Sequence, residues 1–319
     1  MPYEVVMATC NGVPFLDQQL QSILNQSCPP VRVLVADDRS DDGSLDLIAS
    51  WQQRSMLPIE LLPAVGQRLG SCRNFERLLA ATRAPYVMPA DQDDFWDHDK
   101  AERLLALMSR QERLHGAQTP LLVHGDLRLI DATGTFLAAS FYRHQALDPC
   151  RDHWVQLGLQ NVVTGCACLV NRACLEQAMP FPPEAVLHDW WLALVAARSG
   201  AIAYLPQSCV SYRQHGRNVV GAVGWRRVFR RRLQQICAAG AHSRQVAESW
   251  VGPGLRQLRA CLQRCDGAGA EDLQRLLPLW QASPWRRLRA ALQLGLRKQG
   301  LWRTLGWYGA LLWQRPYSS

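Results

Sequence analysis

Short apolar runs alternate with amphipathic segments along roughly the first ninety residues of the chain. The runs predict β-strands, and the segments between them, where apolar side chains recur every three or four positions, predict α-helices. A strict alternation of strand and helix predicts a parallel α/β sheet with right-handed crossovers. The predicted strands are 3–9, 31–37, 59–64 and 86–90, and the predicted helices are 15–27, 44–53 and 71–82.

The pattern from residue 100 onward predicts a mixture of hairpins and helices. Two runs on either side of an Ala-Thr-Gly turn predict a β-hairpin, at 121–131 and 135–142. Beyond Val220 the pattern becomes helical and basic. The other predicted elements are helices 100–114, 172–179 and 188–200 and strands 165–171, 201–206 and 208–215.

Charge is distributed unevenly along the 319 residues, whose formal net charge is +8. Residues 1–224 carry a net charge of −5, whereas the segment from Trp225 to the end carries +13. A basic tail on a mildly acidic body is typical of a protein with an anionic partner. Near the end of the tail, arginines interleave with tryptophan and leucine, which fits either an interfacial amphipathic helix or a helix packed on the body. The tail contains no nucleic-acid-binding motif, so we expect no nucleic-acid partner.

The amino terminus and the cysteines favour a cytoplasmic protein. The first residues have no basic segment before their short apolar run, and no run approaches the roughly 18 apolar residues of a membrane span. The 11 cysteines form no CxxC pair. We therefore expect them to be small, mostly buried thiols in a reducing compartment.

Five aspartates crowd the end of the fourth predicted strand, in the stretch PYVMPADQDDFWDHDK. Carboxylates this close raise one another's pKa unless a cation joins them. Ligands of open α/β sheets bind beyond the carboxyl ends of the strands, where Asp91 and Asp93 are expected beside Asp37 and Asp38. The sequence therefore predicts a Mg²⁺ or Mn²⁺ site there, completed by a bound diphosphate. The remaining aspartates are interpreted as turn or helix-capping residues: Asp94, Asp97 and Asp99.

Several segments in order carry a resemblance to a known family: MATCNG, DDRSDDGSLDLI, GQRLGSCRNFERLL and YVMPADQDDFWDHDK. Together they resemble the inverting family 2 glycosyltransferases of GT-A fold. The variant DQDDFW, with VVTGCACLVNR, HDWWLALVAARSG and YRQHGRNVVG, is similar to rhamnosyltransferase-like members that act in bacterial polysaccharide assembly. The resemblance covers roughly residues 3–221.

The resemblance implies an α/β fold with a Rossmann-like, nucleotide-sugar-binding mixed sheet. It places a catalytic domain at 1–221, with a donor-binding half at about 1–95 and an acceptor half at about 96–221. The helical basic region then covers 222–319. Its helices are expected either to associate with a membrane or to pack on the body.

The resemblance also implies a role for each matched residue. Asp189 is the expected catalytic base, and its pKa is expected to be raised by its surroundings; a helix N-cap is the alternative. Asp93 is expected to hold Mg²⁺ or Mn²⁺, with His215 joining the metal or diphosphate site. The nucleotide-sugar contacts are expected from Thr9, Asn11, Asp38, Asn74 and Asp91.

The implied reaction is transfer of a sugar, with inversion, from a nucleotide-diphosphate donor to a hydroxyl group. dTDP-rhamnose is the favoured donor and other hexose donors come second. The acceptor is a saccharide or a lipid-linked saccharide, used in the cytoplasm or at the cytoplasmic face of the membrane. A non-catalytic nucleotide-sugar-binding protein is the alternative. A nucleotidyltransferase fits less well, because the loop after the first strand contains no Lys or Arg.

One departure from the family pattern concerns backbone conformation. Arg39 stands in DDRS where glycine is commoner. An arginine at positive φ would be strained, so we expect a different turn at this position.

Overall fold

The computed structural model describes residues 1–216, 242–264, 275–276, 279 and 282–313. Within these residues nine strands form one mixed sheet, in the order β3-β2-β1-β4-β8-β6-β9-β5, with β7 paired to β6. The strands are β1 Tyr3–Thr9, β2 Arg32–Asp37, β3 Ile59–Leu61, β4 Tyr86–Asp91, β5 Phe95–Trp96, β6 Leu121–Asp131, β7 Phe136–Ala138, β8 Cys168–Asn171 and β9 Ala201–Gln214.

The helices of the described residues begin and end close to the predicted limits where a prediction was made, and two short helices at 141–145 and 154–159 were not predicted. They are α1 Val13–Leu24, α2 Ser44–Arg54, α3 Ser71–Ala81, α4 Lys100–His115, α5 Phe141–Gln145, α6 Trp154–Leu159, α7 Arg172–Ala178, α8 His188–Ser199, α9 His242–Arg264, α10 Pro284–Gln293 and α11 Leu301–Trp313.

The first half of the sheet is parallel, as predicted. β1 pairs in parallel with β2 on one side and with β4 on the other, and β2 pairs in parallel with β3. Tyr3, Val5, Val6 and Met7 of β1 are completely buried, because helices cover both faces of such a sheet. The predicted α/β class is confirmed.

The second half of the sheet is mixed. β8 runs antiparallel to both β4 and β6, while β6 and β9 are parallel. The predicted hairpin between β6 and β7 is confirmed by their antiparallel pairing. The predicted limit of its second strand at 142 was wrong, because β7 ends at Ala138 and α5 begins at Phe141.

The prediction of two strands across 201–215 was wrong, because one strand covers Ala201–Gln214. Gly125 pairs with Leu205, but the next residue of β6, Asp126, pairs with Ser208. Pro206 and Gln207 are therefore bulged out of the ladder. A bulge accommodates a proline, which has no N–H to donate, without ending the strand.

The chain divides into two compact units. The first contains 1–142, 163–181 and 187–221, and it holds all the strands of the sheet. The second contains 143–162, 182–186 and 222–319. The predicted limits of the catalytic domain and of its two halves stay predictions.

Close helix packing defines the described core of the second unit. A Cβ on Gly254 of α9 would approach the carbonyl oxygen of Gly158 to 2.6 Å. A Cβ on Gly158 would in turn meet Leu258 at 2.2 Å. These two glycines let α6 and α9 touch backbone to backbone, beside the buried side chain of Leu255.

None of the helices in the described part of the chain is both long and apolar enough to cross a membrane. Nine cysteines of that part are free thiols, and five of them are buried: Cys166, Cys168, Cys174, Cys209 and Cys261.

Candidate active site

The carboxyl ends of the central strands bring the predicted acidic residues to one edge of the sheet. Asp91 at the end of β4 is in register with Ala8, and Asp37 at the end of β2 is in register with Thr9. All eight predicted site residues, including Asp189 and His215, lie in the first unit. The structure therefore places them within one folded unit, whose sheet edge carries the acidic cluster.

Gln92, the middle residue of the Asp-Gln-Asp stretch, ties two loops together. Its side-chain amide accepts a hydrogen bond from the Cys10 amide at 2.8 Å and donates to the Cys10 carbonyl at 2.9 Å. A Cβ on Gly12 would meet the Gln92 Oε1 at 2.5 Å, so glycine is needed there. Sequence reasoning missed this residue, since only the flanking aspartates carried a chemical signal.

Two buried glutamines, one on α1 and one just after its C-terminal end, hold the same aspartate-rich loop. Gln19 donates to the Asp91 carbonyl at 2.7 Å, and Gln26 donates to the Asp97 carbonyl at 2.7 Å. Both glutamines are buried. The sequence analysis did not identify either glutamine, because neither stands in a motif with recognisable chemistry.

Asp93 and His215 form a direct pair. His215 Nε2 lies 2.6 Å from Asp93 Oδ2, and their side chains are 14% and 13% exposed. The imidazole stacks on Phe15, with ring centroids 5.1 Å apart. The structure thus brings together the two residues predicted to hold the metal and leaves them partly open.

Arg213 fixes the loop that carries Asp93. Its Nε donates to the Asp93 carbonyl at 2.9 Å, and its Nη2 donates to Gln18 Oε1 at 2.7 Å. Its guanidinium lies 4.7 Å from the centroid of Phe15, the same ring that packs on His215. Arg213 is 3% exposed, so it positions its neighbours from inside the protein.

Asp94 is part of the buried interior, and its interpretation as a turn or capping residue was wrong. It is completely buried, and its Oδ1 accepts from the Arg213 amide at 3.1 Å. Burial, followed by the charge of Asp93, raises its pKa well above the ordinary value. The same two causes raise the pKa of Asp91.

The other two aspartates of the stretch bind arginines. Asp97 accepts two hydrogen bonds from Arg128, at 2.5 and 2.7 Å. Asp99 occupies the N-cap position of α4, but its side chain makes no capping bond and accepts from Arg103 at 2.6 Å. The interpretation as a turn or capping residue is therefore confirmed for Asp99, which lies in the turn at the N-cap position, and was wrong for Asp97.

A buried lysine lies beneath the carboxylates. The Lys100 ammonium donates to the Cys166 carbonyl at 2.6 Å and sits 3.1 Å from the centroid of the Trp96 ring. Burial lowers its pKa to about 8, while nearby thiols and Asp94 act in the opposite direction. Lys100 offsets part of the negative charge of this edge of the sheet.

Two groupings of ligand atoms are possible for a divalent cation. Asp91, Asp94 and Cys166 bring one ligand atom each within 4.8 Å of one another. However, burial raises the pKa of the Cys166 thiol well above its ordinary value, and a protonated thiol is a poor ligand for a hard cation. Asp93 and His215 form the second grouping; both side chains are partly exposed, and the Asp93 carboxylate offers the oxygen ligands that Mg²⁺ and Mn²⁺ prefer.

Asp189 lies in the first turn of α8, whose N-cap is Leu187, so the N-cap alternative for Asp189 was wrong. Its Oδ2 accepts from the Gly165 amide at 3.0 Å, and its Oδ1 accepts from the Trp190 amide at 2.6 Å. Burial raises the pKa of Asp189 to about 6, against the lowering effect of these hydrogen bonds. The predicted direction of the shift is therefore confirmed.

His188 packs next to Asp189. Its ring stacks on Phe75 with centroids 3.7 Å apart, and neither ring nitrogen has a hydrogen-bond partner in the described structure. Burial lowers its pKa to about 3, so it is neutral at physiological pH. These contacts make His188 a packing neighbour of Asp189.

The residues predicted to contact the nucleotide are held by the protein itself. The Thr9 hydroxyl donates to Asp37 at 2.9 Å, and Asn11 Oδ1 accepts from the Asp41 amide at 2.9 Å. Asp38 accepts from the amides of Leu69 and Gly70, at 2.7 and 2.9 Å. Asn74 is completely buried, and its Nδ2 has no partner in the described structure. Their contacts with a donor stay predictions.

The expected turn at Arg39 was wrong, because this residue adopts a φ of 62°. Ser40 donates from its amide and hydroxyl to Asp37, at 2.8 and 2.6 Å, which fixes the turn around Arg39. The arginine side chain also donates to the Gly66 carbonyl at 3.0 Å. Local hydrogen bonds thus hold a conformation that usually favours glycine.

Gly165→Ala is expected to lower kcat by roughly 10–100-fold, the cost of moving a reacting group by about 1 Å. A Cβ there would meet His188 Nε2 at 2.5 Å and the Asp189 Cβ at 3.3 Å. Steady-state kinetics of the glycosyl transfer that the sequence predicts measures the change. Gly309→Ala is the matched control, since its Cβ would meet nothing within 4 Å. Equal kcat for Gly165→Ala and the control would contradict the expected displacement of Asp189.

Comparisons with known proteins agree with this geometry. Residues 4–122 match the model of the glycosyl transferase family 2. The chain is 25% identical to the dTDP-rhamnosyl transferase RfbG of Shigella flexneri over 68% of its own length and 74% of RfbG. It is 22% identical to the putative teichuronic acid biosynthesis glycosyltransferase TuaG of Bacillus subtilis, over 70% and 82% of the two chains.

Solved structures with the same fold cover nearly the whole chain. S. aureus TarS 1–349 in complex with UDP-GlcNAc superposes with a TM-score of 0.53 at 14% identity and covers 93% of each chain. The mannosyltransferase PcManGT of Pyrobaculum calidifontis, in complex with GDP-Man and Mn²⁺, has a TM-score of 0.53 at 15% identity. That match covers 98% of this chain and 87% of PcManGT.

Proposed function

Because the chain belongs to the family 2 glycosyltransferases and has a GT-A fold, we propose that it transfers a sugar with inversion, using Asp189 as the base. The donor is a nucleotide-diphosphate sugar, and the acceptor is a hydroxyl group of a saccharide. One observation carries the proposal. A partly exposed carboxylate with a raised pKa shares a folded unit with an acidic strand edge.

Inversion needs one in-line displacement at the anomeric carbon of the sugar. The acceptor hydroxyl attacks, its proton passes to the Asp189 carboxylate, and the nucleoside diphosphate leaves from the opposite face. A carboxylate with a pKa of about 6 is mostly ionised at neutral pH and yet more basic than an ordinary aspartate. The amides of Gly165 and Trp190 hold the carboxylate in a fixed orientation.

Asp93 and His215 would hold Mg²⁺ or Mn²⁺. Their fit rests on the pair itself and on the crowded carboxylates of Asp91 and Asp94, whose pKa values are raised first by burial and then by the charge of Asp93. A bound cation would offset that charge. A bound divalent cation supplies Lewis-acid stabilisation of the charge on the leaving diphosphate. Arg213 and Phe15 keep the pair in place.

Activity is expected to fall as the pH drops through about 6, since the base works only when ionised. Well below that value kcat/KM should fall about tenfold per pH unit, and above it kcat/KM should level off. The titratable neighbours of Asp189 are Asp91, Cys72, Cys168 and His188. The profile is measured at saturating Mn²⁺, from pH 5 to 8. A flat profile would contradict the assignment of the base.

dTDP-rhamnose is the proposed donor, and the similarity to RfbG supports it. Other hexose donors are the second candidate, because the fold is shared with proteins bound to UDP-GlcNAc and GDP-Man. A panel of nucleotide sugars, tested for donor hydrolysis and transfer, decides between them. Preference for a different sugar would overturn the rhamnose assignment alone. Binding without turnover of any donor would indicate a non-catalytic protein.

The proposed setting is polysaccharide or glycolipid assembly for the cell envelope, on the cytoplasmic side. In this setting the acceptor is a saccharide or a lipid-linked saccharide. The catalytic domain is proposed to cover 1–221, followed by the helical basic region at 222–319.

A further inference from the structure

The last two described helices expose large apolar side chains. Trp285 is 73% exposed, and Trp302 is 50% exposed. Both helices belong to the second unit, where α10 and α11 contact each other. We call the exposed apolar residues of the pair the Trp285 surface; they are Trp285, Leu292, Leu301, Trp302 and Leu305.

Arginines lie between these apolar residues on α10. Arg286 and Arg289 are exposed, and Trp285, Arg289 and Leu292 follow one another at helical spacing of four and three residues. They therefore share one side of the helix. This side mixes tryptophan, leucine and arginine in place of the usual polar residues.

Charge over 282–313 is of one sign. This segment contains six Lys or Arg residues and no Asp or Glu. The first helical turns of α10 and α11 therefore lack the acidic residues that commonly stabilise such turns. A surface of this kind attracts anionic partners and repels a second copy of itself.

The burial of Arg287 shows that α10 does not pack on the protein as an ordinary amphipathic helix would. Arg287 is completely buried and donates to the carbonyls of Ala282 and Leu311, at 3.2 and 3.4 Å. The side of α10 that faces the protein is thus occupied in part by a hydrogen-bonded arginine, while Trp285 points away. An ordinary packed helix buries its tryptophan and exposes its arginine.

We infer that the Trp285 surface binds the anionic face of a lipid bilayer. Tryptophan and leucine insert at the level of the headgroups, and the exposed arginines interact with anionic lipid. Nucleic acid accounts for the charge but gives no role to the exposed leucines. The inference is independent of the donor sugar and of Asp189.

Sedimentation with vesicles tests the inference on the full chain. The probes are vesicles of phosphatidylglycerol mixed with phosphatidylcholine, and vesicles of phosphatidylcholine alone. We expect binding to the anionic vesicles, weakened at high salt, and at most weak binding to the neutral ones. Failure of the wild-type protein to bind anionic vesicles at low salt would overturn the inference.

Two variants locate the contact. Trp285→Ser with Trp302→Ser removes apolar anchors, and Arg286→Glu with Arg289→Glu reverses charge. Each pair is expected to weaken vesicle binding by about tenfold or more, since each basic residue near an anionic leaflet contributes on the order of fivefold. Met56→Ser with Leu114→Ser is the matched control, because these side chains are 99% and 73% exposed in the first unit.

Further measurements separate the alternatives. Thermal unfolding of every variant checks that it is folded, and glycosyl transfer to a water-soluble acceptor checks the catalytic unit. Vesicle binding that is equal in the surface variants and the control would overturn the inference. So would surface variants that change only the oligomeric mass or only the binding of RNA, with vesicle binding intact.

Discussion

Asp189→Asn is expected to lower kcat by about 10²–10⁴-fold while the Kd of the donor changes little, the range typical for loss of a general base. Asparagine has the size of aspartate but cannot take the proton of the acceptor hydroxyl. Its amide oxygen can still accept from one of the two amides that hold the carboxylate, Gly165 or Trp190. The fold of α8 should therefore persist.

The measurement combines kcat with the donor Kd from calorimetry. Asp46→Asn is the matched control, since Asp46 also lies in the first turn of a helix, α2. A kcat within about tenfold of the wild-type value would place the base elsewhere. A large loss of donor affinity would instead assign Asp189 to binding. The pH profile adds an independent check, because the decline below about pH 6 should disappear in the variant.

Asp93→Ala is expected to lower kcat/KM by about 10³-fold or more, because the stabilisation of a leaving diphosphate by a cation contributes several kcal/mol. The variant removes the carboxylate that pairs with His215. Chelation of the wild-type protein with EDTA should have a comparable effect, and added Mg²⁺ or Mn²⁺ should restore activity. Turnover and binding of Mn²⁺ by calorimetry are the two readouts.

Asp99→Ala is the control for Asp93→Ala, since it removes a carboxylate from the same acidic stretch. Asp99 is 54% exposed and pairs with Arg103 at the start of α4. Full turnover in EDTA would exclude the metal. Loss of Mn²⁺ binding in Asp99→Ala, with retention in Asp93→Ala, would show that Asp93 and His215 do not form the metal site.

The fold was largely predictable because its signals are local. Continuous apolar strands such as 32–37 and strict alternation with helices leave few topologies open. β9 was missed because Pro206 looks like a strand end, and a bulge is visible only once the partner strand is placed. The short strand β5 has too few residues to show any periodicity.

The candidate site was predictable only where its residues stand in a recognisable sequence motif. Asp93, Asp189 and His215 stand in motifs with recognisable chemistry. Gln92 and Arg213 do not, since their roles depend on hydrogen bonds to residues 82 and 120 positions away. Asp94 looked like its neighbours, and only its burial distinguishes it. Such long-range contacts cannot be derived from local pattern.

Hydrogen bonds fix the aspartate-rich loop, residues 91–97, and this order affects donor binding. Gln92 binds the backbone of Cys10, Gln19 and Gln26 bind the carbonyls of Asp91 and Asp97, and Arg213 binds the carbonyl of Asp93. All of these hydrogen bonds exist within the protein chain alone. A loop that is already ordered loses little conformational entropy when a ligand arrives. The affinity for the donor should therefore reflect the contacts it makes at the rim, with only a small entropic cost from ordering this loop.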